Sequence, residues 1–380
     1  MDTNEILYLM HIPWGWIKQR PHFLAEGLNE IYDVNVYYRK ALTISNKGLK
    51  EQKNHNLLIK KFITIPFEKL PILKSLKLDW INRLLVKCYI SGIDKYDVIW
   101  VSSIGIYSIF ERLIPPSSIL IYDCMDDELE FPAITAHKKY LKKLACIEKR
   151  LINRANFVLC SALYLSKKIV NRTNLLIHDK ITIINNAISI PEKENYNNSI
   201  PVEIEEKLSV LKKHSPVLLY VGAVAEWFDF ESMIEVLNKN DRISLVLIGP
   251  SKIKIPVHDR IIHLGTIERK YIFDFMKLSD ALIMPFKINE LIRSVNPVKL
   301  YEYIYSNKPI IAPLYTESKP FNKYVYLYDS KKELFDLVNS VECGNLVTKC
   351  TNDENMAFVL KNTWDYRVSE IIELLNSANR

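Results

Sequence analysis

The chain has 380 residues, 48% of them hydrophobic, with 51 Lys and Arg against 44 Asp and Glu. That apolar content excludes a disordered polyelectrolyte, and the length exceeds what one ordinary core fills, so two domains are expected. Six cysteines, at 88, 124, 146, 160, 343 and 350, show no CxxC spacing, which argues for free thiols in a reducing compartment.

MDTNEILYLM lacks the basic start of a secretory signal, and no uninterrupted apolar run reaches the roughly 18 residues of a membrane span. Charge is unevenly placed. Residues 1–190 carry 27 Lys/Arg and 18 Asp/Glu, a net of +9, whereas residues 191–380 carry 24 and 26, a net of −2. A basic first half fits an anionic partner, either a membrane surface or a nucleic acid, and a solvated basic surface explains it as well.

In chain order the apolar runs are EILYLM (5–10), DVNVYYR (33–39), DVIWVSS (97–103), SILIYDC (118–124), NFVLCSA (156–162) and KITIINNA (180–187). Helical patterns such as WIKQRPHFLAEGLNEI and HKKYLKKLACIEKRLIN lie between them. Such alternation predicts βαβ units and a parallel sheet. PEKENYNNSIP (191–201) is polar, Asn-rich and bracketed by prolines, and reads as a linker. Alternation then restarts with SPVLLYVG (215–222), ISLVLIG (243–249), RIIHLG (260–265), ALIMPF (281–286), PIIAP (309–313) and YVYLYD (324–329). The expected fold is α/β, with two tandem doubly wound domains: 1–190, then 202–362 after the linker. The last helix, within 363–380, is expected to pack back on the first domain. Open sheets of this kind bind ligands beyond the carboxyl ends of their strands.

Gly222 and Gly249 each end an expected strand, where a missing side chain lets a ligand approach the backbone. Lys252 follows closely. In NPVKLYEYIYSNKPIIAP (296–313), Asn296 is expected to cap a helix and Pro297 to open it. Lys299 then falls in the first turn, where a cation opposes the helix dipole unless an anion is near. Glu302, one turn on, can accept from a pair of ribose hydroxyls. An exposed Lys–Glu pair worth ~0.2–0.5 kcal/mol explains the same spacing.

NELIRSVNPVKLYEYIYSNKPIIAP resembles the donor segment of bacterial GT-B glycosyltransferases of capsule, O-antigen and teichuronic-acid assembly. EWFDFESM with LVLIGP, WIKQRPHFLAEGL, IYDCMDD and INNAI resemble other segments of the same group, in the same order along nearly the whole chain. The resemblance implies a GT-B fold, two Rossmann-like domains facing a cleft. It implies transfer of a sugar from a nucleotide diphosphate sugar, expected to be a UDP-sugar, to a growing lipid-linked or oligosaccharide acceptor. By the same resemblance Glu302 holds the ribose, Lys299 the diphosphate, the backbone at Gly222 and Gly249 lines the phosphates, and Thr266–Ile267 flank the base. Retaining members carry a second Glu eight positions before the ribose Glu, where this chain has Ser294, and an Arg and a Lys after the first glycine, where it reads AVAEW. Arg293 and Lys252 are the candidates for the missing positive charge. Retaining and inverting transfer both stay open.

On the acceptor side, Arg20 is expected to meet phosphate and His22 to touch a substrate, with helix capping as the alternative for both. Trp14 and Trp16 could stack on a sugar or pack. IYDCMDDELEFP sets Asp123, Asp126 and Asp127 at a strand end. An inverting transfer needs a carboxylate base, and crowding raises a carboxylate pKa. Asp126 is expected to be that base, with Asp127 next and Asp123 structural; a polar turn or a metal-binding motif like that of GT-A transferases are the alternatives. No cofactor, metal or nucleic acid is expected. FEKLPILKSLKLDWINRLLVKCYI (67–90) carries Leu73, Leu76, Trp80 and Leu84 as a stripe flanked by Lys74, Lys77 and Lys87. This fits a helix lying on anionic lipid at the cytoplasmic face of the cell membrane, or a core-facing helix with a solvated side. A nucleotide-sugar epimerase and a non-catalytic GT-B subunit remain alternative functions.

Overall fold

The computed structural model describes residues 5–15, 18–41, 57–65, 79–90, 92–173, 178–191 and 200–378. Trp16, residues 67–78 and most of the expected linker lie outside the described residues. The chain divides into two units, Met1–Asn186 with Trp364–Arg380, and Ala187–Thr363.

The first unit runs β1 (Glu5–Met10), α1 (Arg20–Leu28), β2 (Asp33–Ala41), β3 (Leu58–Thr64), α2 (Asp79–Tyr89), β4 (Val98–Val101), α3 (Ile104–Phe110), β5 (Ile119–Cys124), α4 (Pro132–Thr135), α5 (Lys138–Arg154), β6 (Phe157–Cys160), α6 (Leu163–Thr173) and β7 (Ile181–Ile183). Its described strands form one parallel sheet in the order β3-β2-β1-β4-β5-β6-β7. The central strands are buried along their length, as EILYLM and VIWV require when helices cover both faces of a sheet. β3 was not among the expected strands. Its sequence LIKKFIT exposes both lysines and fully buries only Phe62 and Thr64, because an edge strand buries little and needs charge to resist further pairing.

The second unit runs α7 (Val202–Lys213), β8 (Val217–Val221), α8 (Phe230–Lys239), β9 (Ser244–Ile248), β10 (Ile261–His263), α9 (Arg269–Leu278), β11 (Ala281–Ile283), α10 (Glu290–Arg293), α11 (Val298–Tyr305), β12 (Ile310–Pro313), β13 (Tyr326–Tyr328), α12 (Lys331–Glu342) and α13 (Asn352–Leu360). The sheet order is β10-β9-β8-β11-β12-β13, again parallel throughout. Both orders reverse direction next to the first strand, between β1 and β4 and between β8 and β11. Those are the switch points where doubly wound sheets leave room for ligands. The last helix, α14 (Trp364–Ala378), belongs to the first unit and packs along α1. Phe23 and Trp364 stack there at 5.0 Å, and Gly27 leaves room for Val368.

Candidate functional site

In the second unit three strand ends meet. The Gly222 N–H donates to Ile248 O at 2.7 Å, and the Gly249 N–H donates to Gly265 O at 2.8 Å. The loops beyond are tied by Val224 N–H to Pro250 O (2.9 Å) and Lys252 N–H to Val224 O (2.8 Å). Gly222 has φ 150° and Gly249 φ 134°, values that side chains disfavour. A Cβ on Gly249 would stand 2.2 Å from the Gly222 carbonyl oxygen. A Cβ on Gly222 would stand 2.2 Å from Lys299 Cε and 2.4 Å from its Nζ. The glycine at 222 therefore clears the path of a lysine. The Tyr303 hydroxyl, accepting the Val221 N–H at 3.0 Å, pins α11 against the same strand end.

Lys299 is half-buried, its ammonium 5.7 Å from the centre of the Tyr220 ring. Burial pulls its pKa down, opposed by Glu302. Glu302 Oε1 lies 3.0 Å from Arg269 Nη2. His263 Nε2 is 2.7 Å from Gly249 O, which makes that nitrogen the protonated one. Ile267 is buried, whereas Thr266 and Lys252 are exposed. Arg293 is also exposed, with Nε 3.8 Å from Glu290 Oε1. The cluster is thus Gly222, Gly249, Lys299 and Glu302, with Arg269 and His263 added and the side chains of Lys252 and Arg293 outside its hydrogen bonds.

In the first unit, Arg20 opens α1 and is 3% exposed. Its Nε donates to Asp123 Oδ1 at 2.9 Å, and its Nη1 to Ile184 O at 2.6 Å and Asn185 O at 3.3 Å. Asp127, also buried, is held by Arg172 and by Lys168 at 2.9 Å. Arg172 reaches on to Glu148 at 3.2 Å, and Lys168 to Glu130 at 2.8 Å. Asp126, between these two locked carboxylates, is half-buried; its backbone carbonyl accepts the Glu128 N–H at 3.0 Å, whereas its carboxylate accepts no hydrogen bond from the described residues. Burial pushes its pKa up to about 7; Asp127 and Asp123 add to the rise and Arg20 opposes it. Glu128 is pushed up to about 8, chiefly by burial, although it accepts the Ile104 N–H at 2.9 Å. Across the β1–β4 switch point, His11 Nδ1 lies 2.8 Å from Ser102 Oγ, and burial lowers that histidine to about 4.

No family model matches the chain. Over 240 residues it is 25% identical to a Bacillus subtilis (strain 168) protein named "Putative teichuronic acid biosynthesis glycosyltransferase TuaH", a match covering 59% of this chain and 57% of that one. The matched stretch therefore spans little more than half the length of that relative. Anabaena Alr3699/HepE in complex with UDP and glucose superposes with a TM-score of 0.69 at 16% identity, over 98% of this chain and 100% of that one. Sucrose-phosphate synthase from Thermosynechococcus elongatus superposes at 0.71 and 13% identity, over 99% of each chain. Both have the GT-B fold. The chain has the GT-B fold.

Within this GT-B chain several expectations are corrected. Arg20 is not the exposed phosphate ligand expected, because it is buried, Asp123 takes its Nε and pairs with its Nη2, and two carbonyls take its Nη1 inside the unit. His22 is 3% exposed. Its Nδ1 accepts the Gln19 N–H at 3.2 Å and its ring lies 5.0 Å from Trp14, so it closes a helix start and packs. Trp14 is core as well. Asp127 is not a free base, since two cations hold it. α11 begins at Val298 with Pro297 at its cap, so Asn296 precedes the helix and instead accepts from the Tyr301 hydroxyl at 3.3 Å. Ser294 is fully buried with Oγ 3.2 Å from Glu290 O, a packed turn where the resemblance has a carboxylate. The residues missed by sequence reasoning are Arg269, His263, His11 and Ser102. Arg269 carried a signal: like Lys299 it sets a cation at a helix start, against the dipole.

Proposed function

We propose that the chain is a glycosyltransferase that takes a sugar from a nucleoside diphosphate sugar and passes it to a growing cell-surface glycan. One observation carries this reading: Lys299 and Glu302 stand one turn apart on α11, with the lysine tail threaded past Gly222 at the end of β8. A cation and a hydroxyl acceptor at that spacing suit a diphosphate and a ribose. Support comes from the HepE structure, which holds UDP and glucose at this fold, and from the teichuronic acid assembly named for TuaH. The donor is a UDP-hexose in this reading, and the acceptor a lipid-linked oligosaccharide. Asp126 takes the proton of the acceptor hydroxyl in an inverting transfer, and the positive charge at Lys299 stabilises the departing diphosphate.

The test is incubation with radiolabelled nucleotide sugars, with and without membranes. Nucleotide release that requires acceptor supports transfer. Sugar conversion without acceptor would make the chain an epimerase, and neither reaction would leave a binding subunit. The reaction is expected to survive a strong chelator, because Lys299 and helix N-termini can neutralise the diphosphate. Loss in EDTA restored by manganese would overturn that metal-free chemistry. Among the described residues no group of three or more His, Cys, Asp or Glu is arranged to hold a metal.

The lipid-linked acceptor brings the first unit to the cytoplasmic face of the membrane in this reading. No helix among the described residues is long and apolar enough to cross a bilayer. α2 instead exposes Trp80 and Leu84, each at 55%, one turn apart, with Lys87 beyond them. α3 packs against both α2 and α5, and α5 turns Lys138, Lys139, Lys142 and Lys149 to solvent. Lys74 and Lys77 lie outside the described residues. An aromatic–aliphatic pair inserts at a lipid interface, and each nearby cation adds about 1 kcal/mol on anionic lipid. Trp80→Ser with Leu84→Ser and Lys87→Glu should therefore lower flotation with phosphatidylglycerol vesicles by about tenfold or more. Equal flotation of this variant and the wild type would make α2 ordinary scaffold.

A further inference from the structure

We propose that Arg269 is a positioning residue for Glu302, holding its carboxylate ready for the vicinal hydroxyls of a nucleotide ribose. The proposal rests on the reading of Lys299 and Glu302 as a nucleotide site. Glu302 projects from α11 and Arg269 from the first turn of α9, so two separate elements meet in one ion pair at 3.0 Å. The side chains are unequally covered: Glu302 is 17% exposed and Arg269 48%. The carboxylate is therefore the sheltered partner and the guanidinium the solvent-facing one.

A cation in the first helical turn gains nothing from its own helix, and α9 has no acidic residue in that turn. What holds Arg269 lies off its helix: Glu302, and the Ser189 carbonyl at 3.5 Å. The recorded contact to Glu302 uses one nitrogen and one oxygen. A carboxylate offers about four lone-pair directions, so a single contact leaves capacity for two further donors. An unsupported Glu side chain has three torsions to fix when a ligand arrives. With Arg269 in place much of that ordering precedes binding, and preorganisation of this kind is read directly as affinity. Arg269 also balances the charge of Glu302, leaving the ammonium of Lys299 for the phosphates.

Calorimetry tests this with UDP, ADP and GDP, carrying forward the nucleotide that binds wild-type protein most tightly and its 2′,3′-dideoxy analogue. Arg269→Gln should weaken the ribonucleotide about three- to tenfold, the size of one ordered side chain. Arg269→Lys should recover part of the loss. The loss should nearly vanish on the dideoxy analogue and in a Glu302→Gln background, because the first lacks the hydroxyls and the second lacks the carboxylate that Arg269 pairs with. A loss that persists on the dideoxy analogue would mean that Arg269 touches phosphate or base itself and would overturn the positioning role. Tighter binding by Arg269→Gln would overturn it too, making the arginine a competitor of the ribose. If Glu302→Gln weakens the nucleotide and Arg269→Gln does not, the proposal fails and the site stands. If none of the three nucleotides binds, or Glu302→Gln changes nothing, the site itself fails and takes the proposal with it.

Discussion

Asp126→Asn should lower sugar transfer by roughly 10²–10⁴-fold, the usual worth of a positioned general base, while nucleotide affinity stays at its wild-type value. The carboxylate is half-buried, without a hydrogen bond from the described residues, and raised to about 7 by burial with help from Asp127 and Asp123. Such a group accepts a proton near neutrality, which a carboxylate of ordinary pKa does poorly. Wild-type transfer should rise with pH through about 7 as the base ionises, and the variant should lose that inflection. Stability runs the other way. The folded pKa lies above the ordinary value of 3.8, so the folded state binds this proton more tightly than the unfolded chain. Its stabilising share is complete below about pH 4 and is lost as pH rises to about 7. Asn carries no charge to desolvate, so the variant should melt higher than wild type at pH 8 and alike below pH 4. Full activity in Asp126→Asn would remove this residue from the chemistry and favour a retaining transfer.

The alternating runs were enough to read the fold. EILYLM became β1 residue for residue, and VLLYV and SLVLI are continuous apolar strands because helices cover both faces of each sheet. β3 escaped because its edge position lets Lys60 and Lys61 stand where a central strand would need apolar residues. The candidate site was legible only in part, for a different reason. Sequence shows which residue types stand at strand ends, not which of them bind each other. Arg20 and Asp123 are 103 positions apart, and their pairing turns an apparent phosphate ligand into an internal brace. Asp126 and Asp127 are neighbours in sequence, yet the carboxylate of Asp127 is locked by Arg172 and Lys168 and that of Asp126 accepts no hydrogen bond from the described residues. The same limit hid Arg269, whose partner lies 33 positions away on another helix. What could be read at Lys299 was a local conflict, a cation against a helix dipole. The threading of its tail past Gly222 needed coordinates.

Gly249→Ala should destabilise the second unit by about 4 kcal/mol or more, an unusually large cost for adding one methyl group. Two terms combine. The backbone at φ 134° is a conformation that an L side chain adopts only at about 1–3 kcal/mol. The new Cβ would also stand 2.2 Å from Gly222 O and 2.7 Å from Gly222 C, atoms of a backbone fixed by the Gly222 N–H bond to Ile248. Neither side can swing away, so the ends of β8 and β9 must part. At roughly 2–4 °C per kcal/mol for a unit of this size, Tm should fall by about 8 °C or more. Two neighbours separate the terms. At Gly265, with φ 71°, a Cβ meets nothing within 4 Å, so alanine there should cost only the backbone term, about 1–2 kcal/mol. At Gly222 the clash is with the flexible end of Lys299, which can move aside. Gly222→Ala should therefore retain more stability than Gly249→Ala but lose nucleotide affinity, because the displaced ammonium no longer reaches its place. Calorimetric melting and nucleotide titration of the three variants check the ranking. Wild-type melting by Gly249→Ala would show that the two strand ends are not in the contact described.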